Sequence, residues 1–515
     1  INSTFDGNGL DLELFNINGT AFEANGNTFV EGVIQNNQYS GMTSEVLSFG
    51  PSTFAGVPYN SLQIGTANAD SLMGTALNDF IDGSALIDTL TYANSINLTN
   101  FVFNNTTGFT LNTEAGVDVV RNVEIVVGMN ETYLIVGSGG FATIQDAVAA
   151  AEDGQTIVVT QGNYSGTVTI DSELNDVTII GVGNVVLDGA FNIQGSGTTL
   201  NGLTIQNGAS VENSSTAIYL NASDVTLTDL IMRAPLPFDE NTFGLVSVTG
   251  ANTSGLTVTN MDSMGFQTAL YLNPGAEGTV ISESTLIGTR AGLGVDGVQN
   301  LTLTNNVFDG DDLDLELFNI NGTQFQATGN TFTDGAIQNN QYDGQLSGVL
   351  SFGPSTFAEV LYNSLQIGSA NPDTLMGTAL NDYVDGGAGV DSLVFTSDVE
   401  LADFESNNSD GFTLTTDSGT DVVRNVEVVV GTNETFLIVG SGGFATIQEA
   451  VAEAKDGQTI VVTEGNYSGT VTIDGDLNDV TIIGHIVDAD RGGPIEYANI
   501  VLHRVSDSTM AQGTV

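Results

Sequence analysis

Aspartates recur at a spacing of nine residues in two separate parts of the chain. The two series are Asp70, Asp79 and Asp88, and Asp373, Asp382 and Asp391, with Asp82 and Asp385 beside their members. Carboxylate oxygens are ligands that Ca²⁺ prefers, and glycines between the aspartates allow tight turns. The pattern therefore predicts either calcium-binding turns or Asp/Gly-rich turns that hold no metal.

The aspartate series belong to a much longer internal repeat. The segment from Leu10 to Thr20 recurs from Leu313 to Thr323, and Phe141 recurs as Phe444, always 303 residues apart without a gap. The similarity ends after Gly181 and Gly484, so the chain holds about 1.6 copies of one large unit. We expect the chain to begin inside a unit of a longer tandem array.

Composition excludes several classes of protein. The 515 residues include 7 Lys+Arg and 62 Asp+Glu, a net charge of −55 that excludes nucleic-acid binding through a basic surface. There is no cysteine, hence no disulfide or thiolate metal site, and no apolar run approaches the length of a membrane span. With 41% hydrophobic residues the chain is nevertheless expected to fold, and its composition is common among exported bacterial proteins.

Short runs that alternate apolar and polar residues follow each other at intervals of about 22 residues. Their central apolar residues are Ile205, Leu227, Val258, Ile281, Leu303 and Phe325. One strand per interval, separated by glycine and asparagine turns, is typical of a β-solenoid. Asn305, Asn306 and Asn330 are candidates for side-chain ladders at the turns.

A short amphipathic helix is predicted before the strands begin. Phe141, Ile144 and Val148 share one helical face, and Thr143 with Asp146 forms a capping box, as does Thr446 with Glu449. This segment resembles the opening of pectate-lyase-like right-handed parallel β-helices over residues 134–348. The resemblance implies an all-β fold of right-handed parallel β-helices in tandem, with the helix as a lid; it implies little about activity.

The aspartate series resemble the calcium-binding nonapeptides of RTX proteins. That resemblance implies β-roll modules between the β-helices, Leu375 and Leu393 pointing inward, and Ca²⁺ as the cofactor. The implied metal ligands are Asp70, Asp79, Asp82, Asp88, Asp373, Asp382, Asp385 and Asp391. The first series departs from the motif because Ser84 and Leu86 replace two of its glycines.

Residues suited to catalysis are scarce. Residues 1–484 contain no histidine, and only Arg233 and Arg290 bring positive charge into the regular strand runs. The catalytic Asp-Pro-His-Glu motif of alginate epimerases, which also join β-helices to RTX modules, is missing. The adjacent acids Asp311 and Asp312 are Asn8 and Gly9 in the other copy, so we interpret them as solvated turn residues.

Two further segments stand outside the regular pattern. Residues 233–241 form an insertion that is interpreted either as a binding loop or as a plain excursion. The tail, residues 485–515, resembles the first strands of carboxypeptidase-regulatory-like domains. It is interpreted as a truncated domain, a junction with a neighbouring molecule, or a sequence joined from elsewhere.

These features predict a non-enzymatic structural repeat protein of an extracellular bacterial filament, surface layer or matrix fibre, stabilised by calcium. A carbohydrate-binding adhesin is the alternative, and an acidic-polysaccharide lyase or epimerase is a weaker one. The expected partners are further copies, axially or laterally, and extracellular polysaccharide. The predicted segments are 1–45 (last rungs of a β-helix), 46–133 (RTX-like module), 134–348 (β-helix with cap helix), 349–436 (second RTX-like module), 437–484 (start of a β-helix) and 485–515 (tail).

Overall fold

The fold is given by a computed structural model that describes most of the chain. The described residues are 1–39, 42, 44–105, 107–113, 116–206, 209–211, 214–234, 242–341, 347–408, 411–416, 419–473, 477–484, 501–503 and 510–512. Strands dominate them, with two short α-helices, and the chain divides into the units Ile1–Phe266 and Gln267–Val515. This confirms an all-β, β-helical fold; its handedness and the segment boundaries stay predictions.

The first unit contains helix α1 (Ile144–Ala150), 3₁₀ turns at Gly19–Ala21 and Leu98–Asn100, and most of the strands. Its strands are β1 (Thr4–Phe5), β2 (Leu12–Phe15), β3 (Thr28–Phe29), β4 (Ile34–Asn37), β5 (Leu47–Phe49), β6 (Ser52–Phe54), β7 (Val57–Tyr59), β8 (Ser61–Ile64), β9 (Ser71–Met73), β10 (Asp79–Asp82), β11 (Thr89–Thr91), β12 (Phe101–Asn105), β13 (Gly108–Asn112), β14 (Val117–Arg121), β15 (Ile125–Val127), β16 (Thr132–Val136), β17 (Thr156–Ile170), β18 (Thr178–Ile193), β19 (Thr199–Asn201), β20 (Thr204–Gln206), β21 (Ala209–Val211), β22 (Ser214–Leu220), β23 (Thr226–Thr228), β24 (Ile231–Arg233), β25 (Thr242–Ser247) and β26 (Thr257–Thr259), and β27 (Asp262–Leu272) contains the unit boundary.

The second unit contains helix α2 (Ile447–Glu453) and 3₁₀ turns at Gly322–Gln324 and Leu401–Asp403. Its strands are β28 (Val280–Ser282), β29 (Thr285–Asp296), β30 (Thr302–Thr304), β31 (Val307–Gly310), β32 (Leu313–Phe318), β33 (Gln326–Thr328), β34 (Thr331–Phe332), β35 (Ile337–Asn340), β36 (Leu350–Phe352), β37 (Ser355–Phe357), β38 (Val360–Tyr362), β39 (Ser364–Ile367), β40 (Thr374–Met376), β41 (Asp382–Asp385), β42 (Ser392–Val394), β43 (Phe404–Asn408), β44 (Gly411–Thr416), β45 (Gly419–Arg424), β46 (Val428–Val430), β47 (Thr435–Val439), β48 (Thr459–Val462), β49 (Thr481–Gly484), β50 (Val501–His503) and β51 (Met510–Gln512).

Parallel strands stack into rungs, but their register differs from the regular interval that the sequence suggests. Leu227 pairs with Leu200 on one side and Val258 on the other, whereas Ile205 pairs with Met232 in a different column. Ile205 and Leu227 therefore do not mark successive rungs. The interval of 22 does hold between Ile281 and Leu303, which pair directly. All these side chains are buried, so each column contributes to the apolar core of its own unit.

Two buried asparagines form the ladder that the sequence predicts. The backbone N–H of Asn306 donates to Oδ1 of Asn330 (3.0 Å), and the N–H of Ser284 donates to Oδ1 of Asn306 (3.0 Å). The side-chain amide of Asn306 donates to the carbonyl of Ile281 at 2.9 Å. Asn305 instead has a φ of 56°, a left-handed conformation that asparagine tolerates in turns.

The predicted cap helices are present in both copies. The hydroxyl of Thr143 accepts the backbone N–H of Asp146 (3.0 Å), and that of Thr446 accepts the N–H of Glu449 (3.2 Å). The first helix buries Ile144 and Val148. No helix in the described part of the chain is both long and apolar enough to cross a membrane.

The aspartate series lie between short strands that pair in parallel in two layers, and both units have this arrangement. In the first, β10 pairs in parallel with β8 and β11 with β9, each partner lying 18 residues away. Strands β14 and β15 then continue the two layers on β10 and β11. We call residues 46–133 and 349–436 the first and second Asp-turn modules. Leu375 and Leu393 are fully buried there, which confirms their predicted inward orientation.

Candidate metal site in the Asp-turn modules

Each module contains three turns that end at the predicted ligands. In the first module turn one ends at Asp70, turn two at Asp79 and turn three at Asp88; in the second module the turns end at Asp373, Asp382 and Asp391. Because turns one and three follow the same layer, 18 residues apart, Asp70 and Asp88 come together. Asp79 belongs to the other layer and has different neighbours.

In the first two turns, the aspartate closes its own turn. Oδ2 of Asp70 accepts the backbone N–H of Thr66 at 2.5 Å, and its Oδ1 accepts the Thr66 hydroxyl at 3.2 Å. Oδ2 of Asp79 accepts the N–H of Thr75 at 2.7 Å, and its Oδ1 accepts the Ser61 hydroxyl at 2.8 Å. Both oxygens of each carboxylate therefore already have donors.

The aspartates are also linked from coil to coil into two acidic ladders. In ladder one, the backbone N–H of Asp70 donates to Oδ1 of Asp88 (2.7 Å), and that of Asp88 donates to Oε2 of Glu124 (2.8 Å). In ladder two, the N–H of Asp79 donates to Oδ1 of Asp118 (2.9 Å). The second module repeats these ladders as Asp373, Asp391 and Glu427, and as Asp382 and Asp421.

Glu124, Asp118 and their counterparts Glu427 and Asp421 are functional candidates that the nine-residue spacing missed. They lie 36 and 39 residues beyond their partners, with Asp118 in β14 and Glu124 between β14 and β15. The signal that pointed to them was the segment Asp-Val-Val-Arg-Asn-Val-Glu, which recurs unchanged at 118–124 and 421–427. Spacing alone could not connect it with the turns, because the hairpin β12–β13 intervenes.

The third turn is bonded differently from the other two. The backbone N–H of Ser84 donates to Oδ1 of Asp82 (3.1 Å) rather than to Asp88, and the Asn122 amide donates to the same oxygen (2.8 Å). Asp88 is fully buried, and its Oδ2 has no hydrogen-bond partner. The second module is identical in this respect, since Asp385 takes the N–H of Gly387 and Oδ2 of buried Asp391 has no partner.

The electrostatics of the third turn disfavour a bare carboxylate. Burial, together with the charges of Glu124, Asp70 and Asp82, raises the pKa of Asp88 to about 8, and one backbone hydrogen bond acts to lower it. The same causes raise the pKa of Asp391 to about 7. A buried carboxyl group with one unpaired oxygen, surrounded by other acids, is stabilised by a proton or by a cation.

The third turn also gathers a second kind of oxygen. A Cβ added to Gly83 would stand 2.0 Å from the carbonyl oxygen of Asn122 and 2.5 Å from Oδ2 of Asp88. The corresponding distances at Gly386 are 1.9 Å to the Asn425 carbonyl and 2.8 Å to Oδ2 of Asp391. Among the described residues no three acidic side chains form a metal-binding group, so a cation here would need backbone oxygens as well.

The eight predicted ligands therefore differ in their fit to calcium. Asp88 and Asp391 fit, because each keeps a buried oxygen without a donor. Asp82 and Asp385 lie beside them, as the electrostatic neighbours of the unpaired groups. Asp70 and Asp373 close the first turns, and Asp79 and Asp382 belong to the second ladder. Calcium itself stays a prediction.

The arginines considered for catalysis are held by neighbouring rungs. Arg233 forms an ion pair with Asp262 and also donates to the Asp262 carbonyl at 2.9 Å. Arg290 forms an ion pair with Glu316, which is buried. Arg121 of the first Asp-turn module lies over the ring of Phe80, with its guanidinium carbon 5.2 Å from the ring centroid. Both rung arginines thus have structural partners.

Of the remaining predicted features, the acidic group near Asp311 lies in the described part of the chain, whereas most of the insertion and of the tail does not. Asp314, in the acidic group near Asp311, is buried and accepts the backbone N–H of Ala336 at 3.1 Å, so it caps a turn. Residues 235–241 of the insertion lie outside the described residues. So does the tail from residue 485, apart from strands β50 and β51, which pair antiparallel.

No protein-family model matches the chain, and no curated protein matches it. Several solved structures are similar to it at low identity. A crystal structure of Escherichia coli YbhC is 13% identical, covering 51% of this chain and 70% of its own, with a TM-score of 0.24. A PL6 alginate lyase in complex with a trisaccharide is 14% identical, covering 72% and 88%, with a TM-score of 0.30. ORF18 of Geobacillus virus E2 is 9% identical, covering 72% and 82%, with a TM-score of 0.27. These values support no inference about activity.

Proposed function

We propose that this protein is a structural repeat protein of an extracellular bacterial filament, surface layer or matrix fibre, and that calcium stabilises it. The observation that carries the proposal is the double occurrence of the same acidic ladder. Asp70, Asp88 and Glu124 in one module, and Asp373, Asp391 and Glu427 in the other, have the same hydrogen bonds. Because the same hydrogen bonds occur in both copies, we infer that they stabilise the repeated unit, as expected of a fibre built from such units.

Calcium would resolve an electrostatic problem that the chain cannot resolve alone. Seven basic residues face 62 acidic ones, and the self-repulsion of that charge opposes compaction. The ladders bury several of these acids side by side. Asp88, Asp391 and the backbone carbonyls beside them are the groups that would hold the ion, and the ion would supply positive charge at that place.

Self-association fits the way the rungs are paired. Strands β31 and β32 pair in parallel on both sides, with β29 and with β34 or β35. Rungs of this sequence therefore stack on one another, and axial self-association would repeat that contact between copies.

Ion pairing of the rung arginines favours a structural protein over a polysaccharide lyase or epimerase. Such enzymes need a cation to neutralise the sugar carboxylate, and Arg233 and Arg290 are occupied by Asp262 and Glu316. Acidic glycans would also meet a strongly negative surface. The weaker alternatives are therefore outcomes to be tested, not part of the proposal.

Electron microscopy of the purified chain in millimolar calcium, with an EDTA-treated control, tests the proposal. We expect ordered fibres or sheets in calcium that loosen in EDTA. Single particles under both conditions, together with saturable binding of a glycan from a screen, would replace the structural proposal with an adhesin. Turnover of alginate or pectin that Arg290→Gln abolishes would replace it with an enzyme.

A further inference from the structure

The three turns of each Asp-turn module differ in one hydrogen bond. In turns one and two, the aspartate accepts the N–H of the residue four positions before it, Thr66 for Asp70 and Thr75 for Asp79. In turn three that N–H belongs to Ser84 and is directed to Asp82 instead. The second module repeats the difference at Ser369, Thr378 and Gly387. Only turn three leaves its aspartate oxygen unpaired among the described turns.

Backbone conformation accounts for the redirected N–H. Turn three of the first module has positive φ at Ser84 (82°) and Leu86 (70°), and that of the second has positive φ at Gly387 (88°) and Gly389 (131°). Left-handed conformations at two positions rotate the peptide groups between them. Ser84 and Leu86 are the two residues at which the first module departs from the glycine pattern. The same geometry arises despite the different residues, so the turn is a property of the repeat.

The opposite end of ladder one is already closed by an amide. The side-chain N–H groups of Asn36 donate to the carbonyls of Glu45 (2.9 Å) and Gly65 (3.2 Å) at the first turn. Asn339 does the same for Gly348 and Gly368, at 2.9 Å each. The carbonyl oxygens of Glu45, Gly65, Gly348 and Gly368 therefore have donors. The amide oxygens of Asn36 and Asn339 are buried without one, but these atoms are neutral, and the unpaired carboxylate oxygens of the modules lie at turn three.

From these contrasts we propose that each Asp-turn module binds a single calcium ion, at turn three, between Asp88 and Glu124 in the first module and between Asp391 and Glu427 in the second. This inference rests on the calcium dependence in the proposed function and narrows it. The proposed calcium ligands include Glu124 or Glu427, from the repeated segment 118–124 or 421–427. They also include the carbonyl of Asn122 or Asn425, which lies with the unpaired aspartate oxygen beside Gly83 or Gly386. Asp79 and Asp382, predicted from spacing, are excluded from it.

A cation suits turn three better than a positively charged side chain of the protein. The groups that act on Asp88 are Glu124, Asp70 and Asp82, all acidic. The arginine of the adjoining strand, Arg121, lies over Phe80. Carboxylate and carbonyl oxygens without nitrogen or sulfur ligands favour a hard ion of the calcium type. One ion per module makes two for the chain.

Calcium stoichiometry tests the inference on the full chain, measured by isothermal titration calorimetry and native mass spectrometry with Ca²⁺ alone. We expect two ions bound, one after Asp88→Asn or Asp391→Asn, and none after both. Glu124→Gln should weaken one of the two sites by at least about tenfold. Glu124→Gln keeps an oxygen to accept the N–H of Asp88, so it stays informative if Asp88→Asn fails to fold.

Asp70→Asn with Asp373→Asn is the matched control. An asparagine there still accepts the N–H of Thr66 or Ser369, and at position 70 its amide can donate to the Thr66 hydroxyl. We expect this pair to bind two ions, with an unchanged circular dichroism spectrum. Three or more ions in the native chain, loss of binding in the control, or no calcium bound by folded protein would overturn the inference. Two bound ions without any ordered assembly would instead overturn only the proposed function.

Discussion

The hydroxyl of Tyr92 donates a 2.6 Å hydrogen bond to Oδ2 of the buried Asp118. The second module has Phe395 at the corresponding position, so Asp421 lacks this donor. Burial raises the pKa of Asp118 to about 6, with the Tyr92 hydrogen bond acting to lower it, and raises that of Asp421 to about 7. The two modules therefore differ at this position by one hydrogen bond, which is present in the first module and absent from the second.

Tyr92→Phe should destabilise the first module by about 1.5–3 kcal/mol, because it removes a hydrogen bond to a buried acidic group. Phe395→Tyr should stabilise the second module by a smaller amount, since a hydroxyl there can reach Asp421. Urea unfolding followed by fluorescence would measure both. Tyr59→Phe is the control, because the Tyr59 hydroxyl has no hydrogen bond in the described part of the chain. Equal effects of Tyr92→Phe and Tyr59→Phe would contradict the assignment.

Stability in EDTA should fall as the pH rises from about 4 to about 8. The folded pKa values of Asp118, Asp421, Asp391 and Asp88, about 6, 7, 7 and 8, lie above the unfolded value of 3.8. Between these limits the folded state binds more protons than the unfolded state. The contribution of these groups to the free energy of unfolding is therefore complete at low pH and is lost as they deprotonate.

Urea midpoints across this pH range, in EDTA and in calcium, would measure the effect. Calcium should flatten the curve, because the ion replaces the proton at turn three. The measurements belong in about 0.5 M salt, which screens the general repulsion of the acidic surface. A stability that increases with pH in EDTA would show that these carboxyl groups are ionised without a counter-charge.

Removal of the helix cap should loosen the start of the β-helix. Thr143→Ala deletes the hydroxyl that accepts the Asp146 N–H, at a cost of about 1 kcal/mol. Hydrogen exchange of residues 144–150 would detect the loss directly. Thr143→Ser keeps the acceptor and should exchange like the native chain; faster exchange in the serine variant would point to packing of the methyl group instead.

Substitution of a ladder asparagine by alanine should lower the free energy of unfolding more than substitution of an exposed residue on the same rungs. Asn306→Ala leaves the N–H of Ser284 buried without the oxygen that accepts it, at about 1–3 kcal/mol, and also removes the side-chain donor to the carbonyl of Ile281. Thermal unfolding would measure this, with the exposed Gln326→Ala as control. A loss no greater than that of the control would mean that water replaces the amide.

Much of the architecture was predictable from local patterns. The resemblance to RTX nonapeptides predicted inward-facing Leu375 and Leu393, and the Thr143–Asp146 box predicted a capped helix. Asparagines near the turns predicted the ladder of Asn306 and Asn330. The helix cap is predictable because it depends on residues three positions apart, where capping chemistry operates. The asparagines could be named as candidates from their turn positions, but strand register joins Asn306 to Asn330 across 24 residues.

Tertiary structure decided how those elements are paired and which carboxylates remain unsatisfied. Sequence spacing suggested Leu227 as the rung after Ile205, but strand register places it between Leu200 and Val258. Likewise, the sequence by itself determined that aspartates lie in turns, whereas only the stacked coils bring Glu124 to Asp88. The direction of one peptide N–H, at Ser84, then leaves Oδ2 of Asp88 unpaired. Strand register and peptide orientation depend on contacts across 18 to 36 residues, which no local pattern encodes.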